Sequence, residues 1–384
     1  MTRIDLRSML CALALLLAPL ASQAASPATE KVPEYALDPT WPKLPLPNHW
    51  ALGLINGIHV DAKNHLWMYH SPELVPKNTL GAMQSPATSK CCVPAPAIIE
   101  FDEAGNVLRA WGGPEDAKVQ GYDWPSAGHG LYVDYKGNIW IGGSMNPNHM
   151  KPGDTRQPDG MYLKFSPEGK FLLQIGGRGA KGSLDTTMLS GAAAVDVDPV
   201  TNEAFIADGY GNHRVIVFDA DTGKFKRLWG AYGKQPSDEK FPRYAGGKEL
   251  PQQFNLVHCI RSSKDGLLYV CDRLNNRIQV FKKDGTYVTE QFYMPTTGGS
   301  GSVGNVSMWP DANNTFMVLN DPGNFETVIL RRSDLKELSR FGHYGTWAGE
   351  YESNHQMEFD LKGNIYTSED HRVQKLKIVN GVKP

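Results

Sequence analysis

The sequence has no charge bias and no cofactor signature. Its 384 residues carry 39 Lys and Arg against 41 Asp and Glu, a formal net charge of −2. No basic stripe or block of like charge stands out, so we expect neither nucleic acid nor a membrane as a partner. The sequence contains no phosphate-binding loop and no CxxCH motif, which argues against a nucleotide, flavin or haem cofactor.

Long apolar runs are also lacking, apart from residues 9–20. That run follows Arg3 and Arg7 and precedes the small residues at 21–24, a pattern typical of a signal peptide. It is too short for a convincing membrane span. We therefore predict a signal peptide at residues 1–24, a Pro-rich leader at 25–50 and a folded domain at 51–384. The protein is expected to be periplasmic or secreted.

Cysteine is scarce, and removal of the predicted signal leaves four cysteines in an oxidising compartment. Folding a hairpin about residues 264–266 brings Cys259 opposite Cys271, which suggests a cross-strand disulfide. The alternative is a pair of buried free thiols. The adjacent Cys91 and Cys92 could form a vicinal disulfide, bind a metal or remain free.

The main positive signal is an internal repeat, seen most clearly at residues 254–281. This stretch contains three short apolar strands joined by an Asp-Gly turn and an Asn-rich turn, as in an antiparallel meander. Six copies occur, and most are followed by an outer pair of strands. Their equivalent positions, one at the start of each innermost strand, are Asn56, His129, Ala193, His258, Asn305 and His355.

Six four-stranded meanders without helix-period segments between them predict an all-β, six-bladed β-propeller. Two packed β-sandwich domains are the alternative, but they do not explain the shared period. The last copy is short, so we expect a strand within about residues 38–54 to complete the ring. Insertions after blades one, two and three, at residues 71–94, 145–157 and 232–250, are expected to form loops over one face.

Histidine occupies the equivalent position in blades two, four and six. Innermost strands surround the central channel of a propeller, so His129, His258 and His355 should converge on its axis. Three neutral imidazoles leave coordination positions open, as a catalytic zinc site requires. Another divalent transition metal would also suit imidazole ligands. The alternative is a wet channel in which the histidines form hydrogen bonds alone.

Two further side chains are candidates at the same channel mouth. Tyr210 and Arg273 follow the second strands of blades three and four, where a phenol can move a proton and a guanidinium can hold a carboxylate. Surface packing is the alternative for both. Asp208 and Asp272, just before them, are read as structural residues that accept hydrogen bonds from turn amides.

These segments resemble a known family, the NHL-type propeller of peptidyl-α-hydroxyglycine α-amidating lyase, over residues 52–378. The segments that carry the resemblance are HGLYVDYKGNIW, VDVDPVTNEAFIADGYGNHRVIVF, FNLVHCIRSSKDGLLYVCDRLNNRIQVF and NHQMEFDLKGNIY. The resemblance implies that His129, His258 and His355 bind zinc, that Tyr210 is the catalytic tyrosine and that Arg273 is a catalytic and substrate-binding arginine.

The implied reaction cleaves the C–N bond of an N-acyl hemiaminal into an amide and a carbonyl compound such as glyoxylate. A metal would polarise the hydroxyl oxygen of the substrate while tyrosinate takes its proton. The expected substrate is a small molecule or is derived from a peptide. The expected protein is a monomer.

The sequence departs from the family at three positions. The blade-one arginine of the family falls at Ser71, and the Cys beside the catalytic tyrosine is Gly211. An acidic residue that the family associates with a structural calcium is Gln356 here, which argues against calcium. Loss of an arginine is not conservative, and Arg214, Arg277 or a loop residue could substitute for it. Arg214 and His70 are the further candidates, besides Arg273, to bind the substrate.

Three functions therefore remain open from the sequence. The first is an exported amidating-type lyase that acts on the family substrate or on a different hydroxylated compound. The second is another metal-dependent propeller enzyme, such as a lactonase or related hydrolase. The third is a non-catalytic propeller that presents its loops to a protein or glycan. The histidine register favours an enzyme, whereas Ser71 keeps the hydrolase open.

Overall fold

In the computed structural model, which describes residues 31–384, six four-stranded antiparallel sheets surround a central channel. The predicted all-β six-bladed propeller is thereby confirmed. The predicted signal peptide lies outside the described residues. Within residues 31–384, every helix is too short or too polar to cross a lipid bilayer.

The blades follow one another along the chain, and their strands are given from the channel outward. Blade one contains Leu54–Val60, Leu66–Ser71, Ile98–Phe101 and Val107–Trp111; blade two contains Gly128–Val133, Ile139–Gly143, Asp159–Phe165 and Phe171–Arg178. Blade three contains Ala194–Val197, Glu203–Asp208, Arg214–Asp219 and Phe225–Trp229; blade four contains Val257–Ser262, Leu267–Asp272, Arg277–Lys282 and Tyr287–Phe292. Blade five contains Asn305–Met308, Phe316–Asp321, Glu326–Arg331 and Lys336–Phe341; blade six contains Gln356–Phe359, Ile365–Ser368, Val373–Asn380 and Glu34–Leu37.

The remaining elements are short and lie in the connections. Trp50–Ala51 pairs in parallel with Val93–Pro94, and Pro114–Gln120 forms one α-helix. The 3₁₀ helices are Pro47–His49, Pro72–Leu74, Lys77–Met83, Ala231–Gly233 and Arg273–Asn275.

The turn after an inner strand explains why the Asp-x-x-Gly-Asn pattern recurs. In blade two, Asp134 Oδ1 accepts hydrogen bonds from the backbone N–H groups of Lys136 and Asn138, each at 2.9 Å. Gly137 adopts φ +83°, a conformation that disfavours other residues. Asp360 and Gly363 repeat the arrangement in blade six. Each such turn fixes the register of the hairpin that follows.

Blades pack against each other through buried apolar clusters and through aromatic rings at their outer edges. Trp111, at the end of blade one, packs on Gly169 in the outer turn of blade two, where an added Cβ would lie 2.7 Å from its ring. Trp229 packs in the same way on Gly285 in blade four. Trp111 and Trp229, each followed by Gly at the end of an outer strand, therefore form contacts between neighbouring blades.

The ring is closed by a strand that lies earlier than expected. Glu34–Leu37, not a strand within residues 38–54, pairs with Val373–Asn380 as the outermost strand of blade six. Tyr35 donates a hydrogen bond to the Gly363 carbonyl and stacks on Phe341 of blade five. The closing strand therefore comes from an earlier part of the predicted leader than expected.

The insertions also differ from the expected pattern. The first two, around residues 72–97 and 144–158, lie inside blades one and two, between the second and third strands. The third, around 230–256, joins blades three and four as expected. Insertions between the second and third strands leave the inner strands unchanged, so they do not disturb the histidine register.

Both cysteine pairs form disulfides in the structure. Cys259 and Cys271 are direct partners on adjacent strands of blade four, which confirms the suggested cross-strand bond. Cys91 and Cys92 form the vicinal disulfide, one of the alternatives left open. The first bond lies next to the channel, whereas the second lies in the blade-one insertion.

Candidate metal centre

Irregularities in the inner strands turn selected side chains towards the channel. The strand pairing shifts between Ile55 and Gly57 in blade one and between Val257 and Cys259 in blade four. A β-bulge leaves one residue unpaired and redirects its side chain. The unpaired residues are Asn56 and His258, two of the six positions identified from the repeat.

Blade two uses a glycine for the same purpose. Its pairing shifts between His129 and Leu131, so the extra residue is Gly130, at φ +70°. A side chain there would also collide with the backbone, because an added Cβ would lie 2.4 Å from the Ala193 oxygen. Gly130 thus permits the bulge and brings the strand of blade two close to blade three.

The three predicted ligands do converge. Donor atoms of His129, His258 and His355 all lie within 4.8 Å of one another, and the Nε2 atoms of His129 and His355 are 3.0 Å apart. His129 and His258 are buried and His355 is nearly so. The side chains come from alternate blades, as the register predicted.

Hydrogen bonds fix which imidazole nitrogens face the channel. Nδ1 of His129 lies 2.9 Å from the Ala193 carbonyl oxygen, and Nδ1 of His258 lies 2.7 Å from the Gly304 carbonyl oxygen. A carbonyl only accepts, so Nδ1 carries the proton and Nε2 offers a lone pair. Metal-ligating histidines are oriented by the same kind of outer hydrogen bond.

The donor set fits a divalent transition metal. Lone pairs that face each other across about 3 Å are favourable only with a proton or a cation between them. Nδ1 of His355 is buried without a hydrogen-bond partner among the described residues. His129, His258 and His355 would hold the ion, and imidazole nitrogen suits zinc, copper, iron or nickel.

Burial keeps the histidines in the form that binds metal. It lowers the pKa of His129 to about 4, and the nearby Arg273 cation acts in the same direction. Burial also lowers the pKa values of His258 and His355 well below the usual value. All three imidazoles are therefore neutral at neutral pH, so metal does not compete with bound protons.

Tyr210 and Arg273 lie directly on this cluster. The Tyr210 hydroxyl is 2.8 Å from Nε2 of His129 and 3.1 Å from Nε2 of His258. The Arg273 guanidinium donates to Nε2 of His258 at 3.0 Å and to the Ser300 carbonyl. Burial raises the pKa of Tyr210, whereas the charge of Arg273 and a hydrogen bond from it lower that pKa.

A cavity of about 280 Å³ opens above the cluster. His129, His355, Tyr210 and Arg273 line it together with polar residues that the sequence analysis did not nominate, namely Asn56, Ser71, Ser144, Ser353 and Asp370. Asp370 follows Glu369 just as Arg273 follows Asp272. The comparison of blades that identified Arg273 would therefore also have identified Asp370 if it had been extended to blade six.

Two other nominated residues lie elsewhere. Arg214 is fully buried, pairs with Asp208 at 2.8 Å, and donates to the carbonyls of Ser183 and Met188. His70 is also fully buried, with Nδ1 accepting from the Gly53 N–H and Nε2 donating to the Pro96 carbonyl. Neither side chain lines the cavity, so we do not carry them forward as substrate contacts.

The aspartates that precede Tyr210 and Arg273 are structural, as read from the sequence. Asp208 accepts from the Ser190 N–H at 2.9 Å, and Asp272 accepts from the Asn255 N–H at 2.8 Å. Asp272 also pairs with the buried Arg277. Arg277 is fully buried and does not line the cavity, so it does not replace the arginine missing at Ser71.

A second polar layer lies deeper in the channel, three residues beyond five of the six equivalent positions; blade five has Met308 there. The Arg261 guanidinium contacts Glu358 and lies near Asp196, which accepts hydrogen bonds from Ser262. His59 packs against Tyr132 in the same layer. These buried groups fill the channel below the metal cluster, so the cavity opens from the other side.

A second set of metal-type donors, Asp61, His65 and Glu100, is already satisfied by protein groups. Nδ1 of His65 lies 2.8 Å from Glu100, and the Arg109 guanidinium also contacts Glu100. Asp61 accepts from the Trp67 indole at 3.0 Å. A cation would have to displace Arg109, so this set does not form a second candidate metal site.

Comparison with known proteins agrees with the resemblance found in the sequence. Residues 254–281 match the family model of the NHL repeat. The chain is 26% identical over 267 residues to peptidyl-glycine alpha-amidating monooxygenase B of Xenopus laevis, a match that covers 66% of this chain and 25% of that protein. It is 27% identical over 252 residues to peptidyl-alpha-hydroxyglycine alpha-amidating lyase 2 of Drosophila melanogaster, covering 63% of this chain and 51% of that protein.

A relative whose name states no activity is equally similar. NHL repeat-containing protein 3 of Homo sapiens is 28% identical over 267 residues, covering 67% of this chain and 58% of that protein. The matches thus span from a quarter to just over half of these relatives. A solved streptogramin B lyase superposes with a TM-score of 0.52 over 90% of this chain and 98% of that one, at 14% identity, which supports the fold alone.

Proposed function

We propose that this protein is an exported, metal-dependent lyase that cleaves the C–N bond of an N-acyl hemiaminal. The products would be an amide and a carbonyl compound such as glyoxylate. The observation that carries the proposal is the convergence of three neutral histidines, Tyr210 and Arg273 at the floor of one cavity. The similarity to an amidating lyase of Drosophila melanogaster supports it.

A divalent transition metal bound by the histidines would act as a Lewis acid on the hydroxyl oxygen of the substrate. Tyr210 would receive the hydroxyl proton, a role supported by the contact of its oxygen with the imidazoles of His129 and His258. The oxygen lone pair then forms the C=O bond while the C–N bond breaks, and the departing nitrogen takes up a proton. Arg273 would hold the substrate carboxylate, because a guanidinium binds carboxylates through two N–H donors.

The cavity also favours one alternative, a metal-dependent hydrolase. In blade one, Asn56 and Ser71 hydrogen bond to each other at 2.9 Å, and no guanidinium besides that of Arg273 lines the cavity in the described chain. The Asp370 carboxylate reaches the cavity from blade six and could take a proton from water. A lactone or related ester would be the substrate class in that case.

Both the proposed lyase and the alternative hydrolase require a bound metal ion, so the metal content of the protein tests both. We expect about one equivalent of a transition metal in the purified protein and much less in a His258→Ala variant, because one of three ligands is lost. His343→Ala is the matched control, since its side chain is 70% exposed and lies outside the cavity. Less than about 0.2 equivalent in wild type, unchanged in His258→Ala, would rule out both enzymes.

Substrate incubation separates the two enzymes. The metal-loaded protein should release glyoxylate from an N-acyl-α-hydroxyglycine, measured with a coupled dehydrogenase. Hydrolysis of a lactone panel without any glyoxylate release would overturn the lyase in favour of the hydrolase. Fractionation of the producing cells tests the export: the proposal requires the mature chain in the periplasm or medium.

A further inference from the structure

An apolar groove adjoins the metal cavity. It has a volume of about 740 Å³ and lies between the leader at residues 44–52 and the blade-one insertion near residues 76–79. Its lining includes Leu44, Leu46, Trp50, Leu52 and Pro76. Among the described residues that line it there is no Asp, Glu, Lys or Arg. Leu44 is 74% exposed, so the groove offers apolar surface to a ligand.

Three chain segments run from the groove into the cavity. In each segment one residue lines the groove and a residue one or two positions away lines the cavity. The groove residues are Leu52, Pro76 and His371, and the corresponding cavity residues are Leu54, Leu74 and Asp370. The two spaces therefore share a wall made of these three segments. A ligand that is longer than the cavity can extend along this wall into the groove.

The shared wall is held in place by buried contacts. Gly53 donates its N–H to Nδ1 of His70, and an added Cβ at Gly53 would lie 1.7 Å from the Ser71 oxygen. Ile55 donates its N–H to the Asp370 carbonyl at 2.8 Å. His70, which the sequence suggested as a substrate contact, thus positions the junction between the cavity and the groove.

The groove walls are also fixed to each other. Trp50–Ala51 of the leader pairs with Val93–Pro94 of the insertion, and Ala95 donates its N–H to the Ala51 carbonyl at 3.1 Å. The vicinal disulfide of Cys91 and Cys92 comes directly before this pair. A groove held open by backbone pairing needs little rearrangement to accept a ligand, which favours binding.

We propose that the groove is the subsite for an elongated apolar acyl group of the same substrate whose hemiaminal end lies in the metal cavity. The inference rests on the proposed function and specifies its substrate class, namely N-acyl-α-hydroxyglycines with a long aliphatic or aromatic acyl chain. The carboxylate end meets Arg273 and the reacting carbon lies at the histidines. The acyl chain passes Leu54 and Leu74 and buries its methylenes between Leu52 and Pro76.

Binding of unreactive analogues tests the subsite without turnover. N-octanoylglycine and N-acetylglycine lack the hydroxyl group and differ by six methylenes. We expect calorimetry on the metal-loaded protein to give N-octanoylglycine a Kd at least about tenfold lower, because each buried methylene is worth up to about fourfold in affinity. If the two bind equally, or if neither binds, the subsite proposal is overturned.

A charged substitution identifies where the acyl chain lies. Leu44→Arg should reduce the advantage of N-octanoylglycine to less than about threefold and leave N-acetylglycine unchanged. Leu172→Arg is the matched control, since Leu172 is an exposed leucine on the outer strand of blade two. If Leu44→Arg instead changes only the mass in light scattering, the groove is a contact between two copies and the proposal is wrong.

The corresponding α-hydroxyglycines distinguish this proposal from the function on which it rests. Glyoxylate release with equal kcat/KM for acetyl and octanoyl substrates would retain the lyase and overturn the subsite. Tighter binding of N-octanoylglycine, abolished by Leu44→Arg, without glyoxylate release from either substrate would retain the subsite and overturn the lyase.

Discussion

Backbone contacts with a neighbouring glycine hold Tyr210 next to the histidines. Its N–H donates to the Gly191 carbonyl at 3.1 Å, and Gly191, at φ +72°, has no room for a side chain because an added Cβ would lie 2.9 Å from the Tyr210 Cβ. The hydroxyl is therefore fixed within reach of two imidazoles. A fixed phenol beside a Lewis acid suits proton transfer from a bound hydroxyl group.

The Tyr210→Phe variant should lose turnover and keep metal. Removing the hydroxyl leaves all three Nε2 atoms in place, whereas loss of a general base lowers rates by about 10²- to 10⁴-fold. Metal analysis and glyoxylate release measured on the same sample check both parts. Tyr344→Phe, a change at a 63% exposed tyrosine, should alter neither. A folded Tyr210→Phe protein without metal would mean that the phenol is a ligand and not a base.

Glu358 is a buried carboxyl group whose protonation should affect the stability of the protein. Two buried carboxylates, Asp196 and Glu358, share the single guanidinium of Arg261, so the layer has an excess negative charge. Burial raises the pKa of Glu358 to about 7, although Arg261 opposes the shift. A raised folded-state pKa means that this contribution to stability is full below the unfolded pKa near 4.5 and is lost as pH rises through about 7.

Glu358→Gln should therefore remove a pH dependence. The wild type is expected to lose free energy of unfolding relative to the variant between pH 5 and 8, on the order of 1–3 kcal/mol. Urea unfolding at four pH values across this window measures the difference. Glu249→Gln, at an exposed position, should follow the wild type throughout. Parallel curves for wild type and Glu358→Gln would show that Glu358 stays ionised beside Arg261.

At the level of elements, the inner strand of blade four links structure to the candidate metal centre. His258 is the unpaired residue of its bulge, and the next residue, Cys259, is bonded to Cys271 on the neighbouring strand. The bond anchors the strand at the point where pairing resumes. It therefore restricts movement of a residue that has no direct partner on the neighbouring strand.

Replacing Cys259 and Cys271 together by Ala should lower both stability and metal affinity. Loss of a disulfide that closes a loop of this size costs about 3 kcal/mol, and the bulge that presents His258 becomes free to shift. Urea unfolding and a competitive zinc titration measure the two effects. The matched control is the double variant Cys91→Ala, Cys92→Ala, which also lacks one disulfide, but one that lies in the blade-one insertion and not next to the channel. This variant should bind zinc like wild type. Equal zinc affinity in both variants would contradict the role of the bond.

Several of these elements could be predicted from the sequence, because their signals are local. Asp-Gly turns fix hairpin registers, and six registers place the histidines of alternate blades at one depth. The β-bulges could not be predicted from such local signals. Whether Asn56 or His258 is left unpaired depends on how its strand pairs with the neighbouring strand. Arg214 was nominated for its charge alone, whereas its burial against Asp208 depends on tertiary packing.

At the scale of the whole molecule, closure of the ring depends on residues far apart in the sequence. The strand Glu34–Leu37 has no turn signal linking it to Val373–Asn380, which explains why it was misplaced. Its half-buried Tyr35 and Leu37 pack with the apolar cluster between blades five and six. The first described strand therefore completes the last blade and joins it to its neighbour.

The double variant Tyr35→Ser, Leu37→Ser should weaken closure without disturbing the metal centre. Loss of two half-buried apolar side chains costs about 3 kcal/mol, which lowers Tm by about 4 °C in a chain of this size. Zinc should raise Tm equally in wild type and variant. The substituted strand is the outermost of blade six, whereas His355 lies at its innermost strand, and three strand pairings separate the two. Thermal unfolding with and without zinc measures both effects. A smaller zinc-induced rise in the variant would show that opening the outer edge displaces His355, so that closure of the ring and assembly of the metal centre would be a single event.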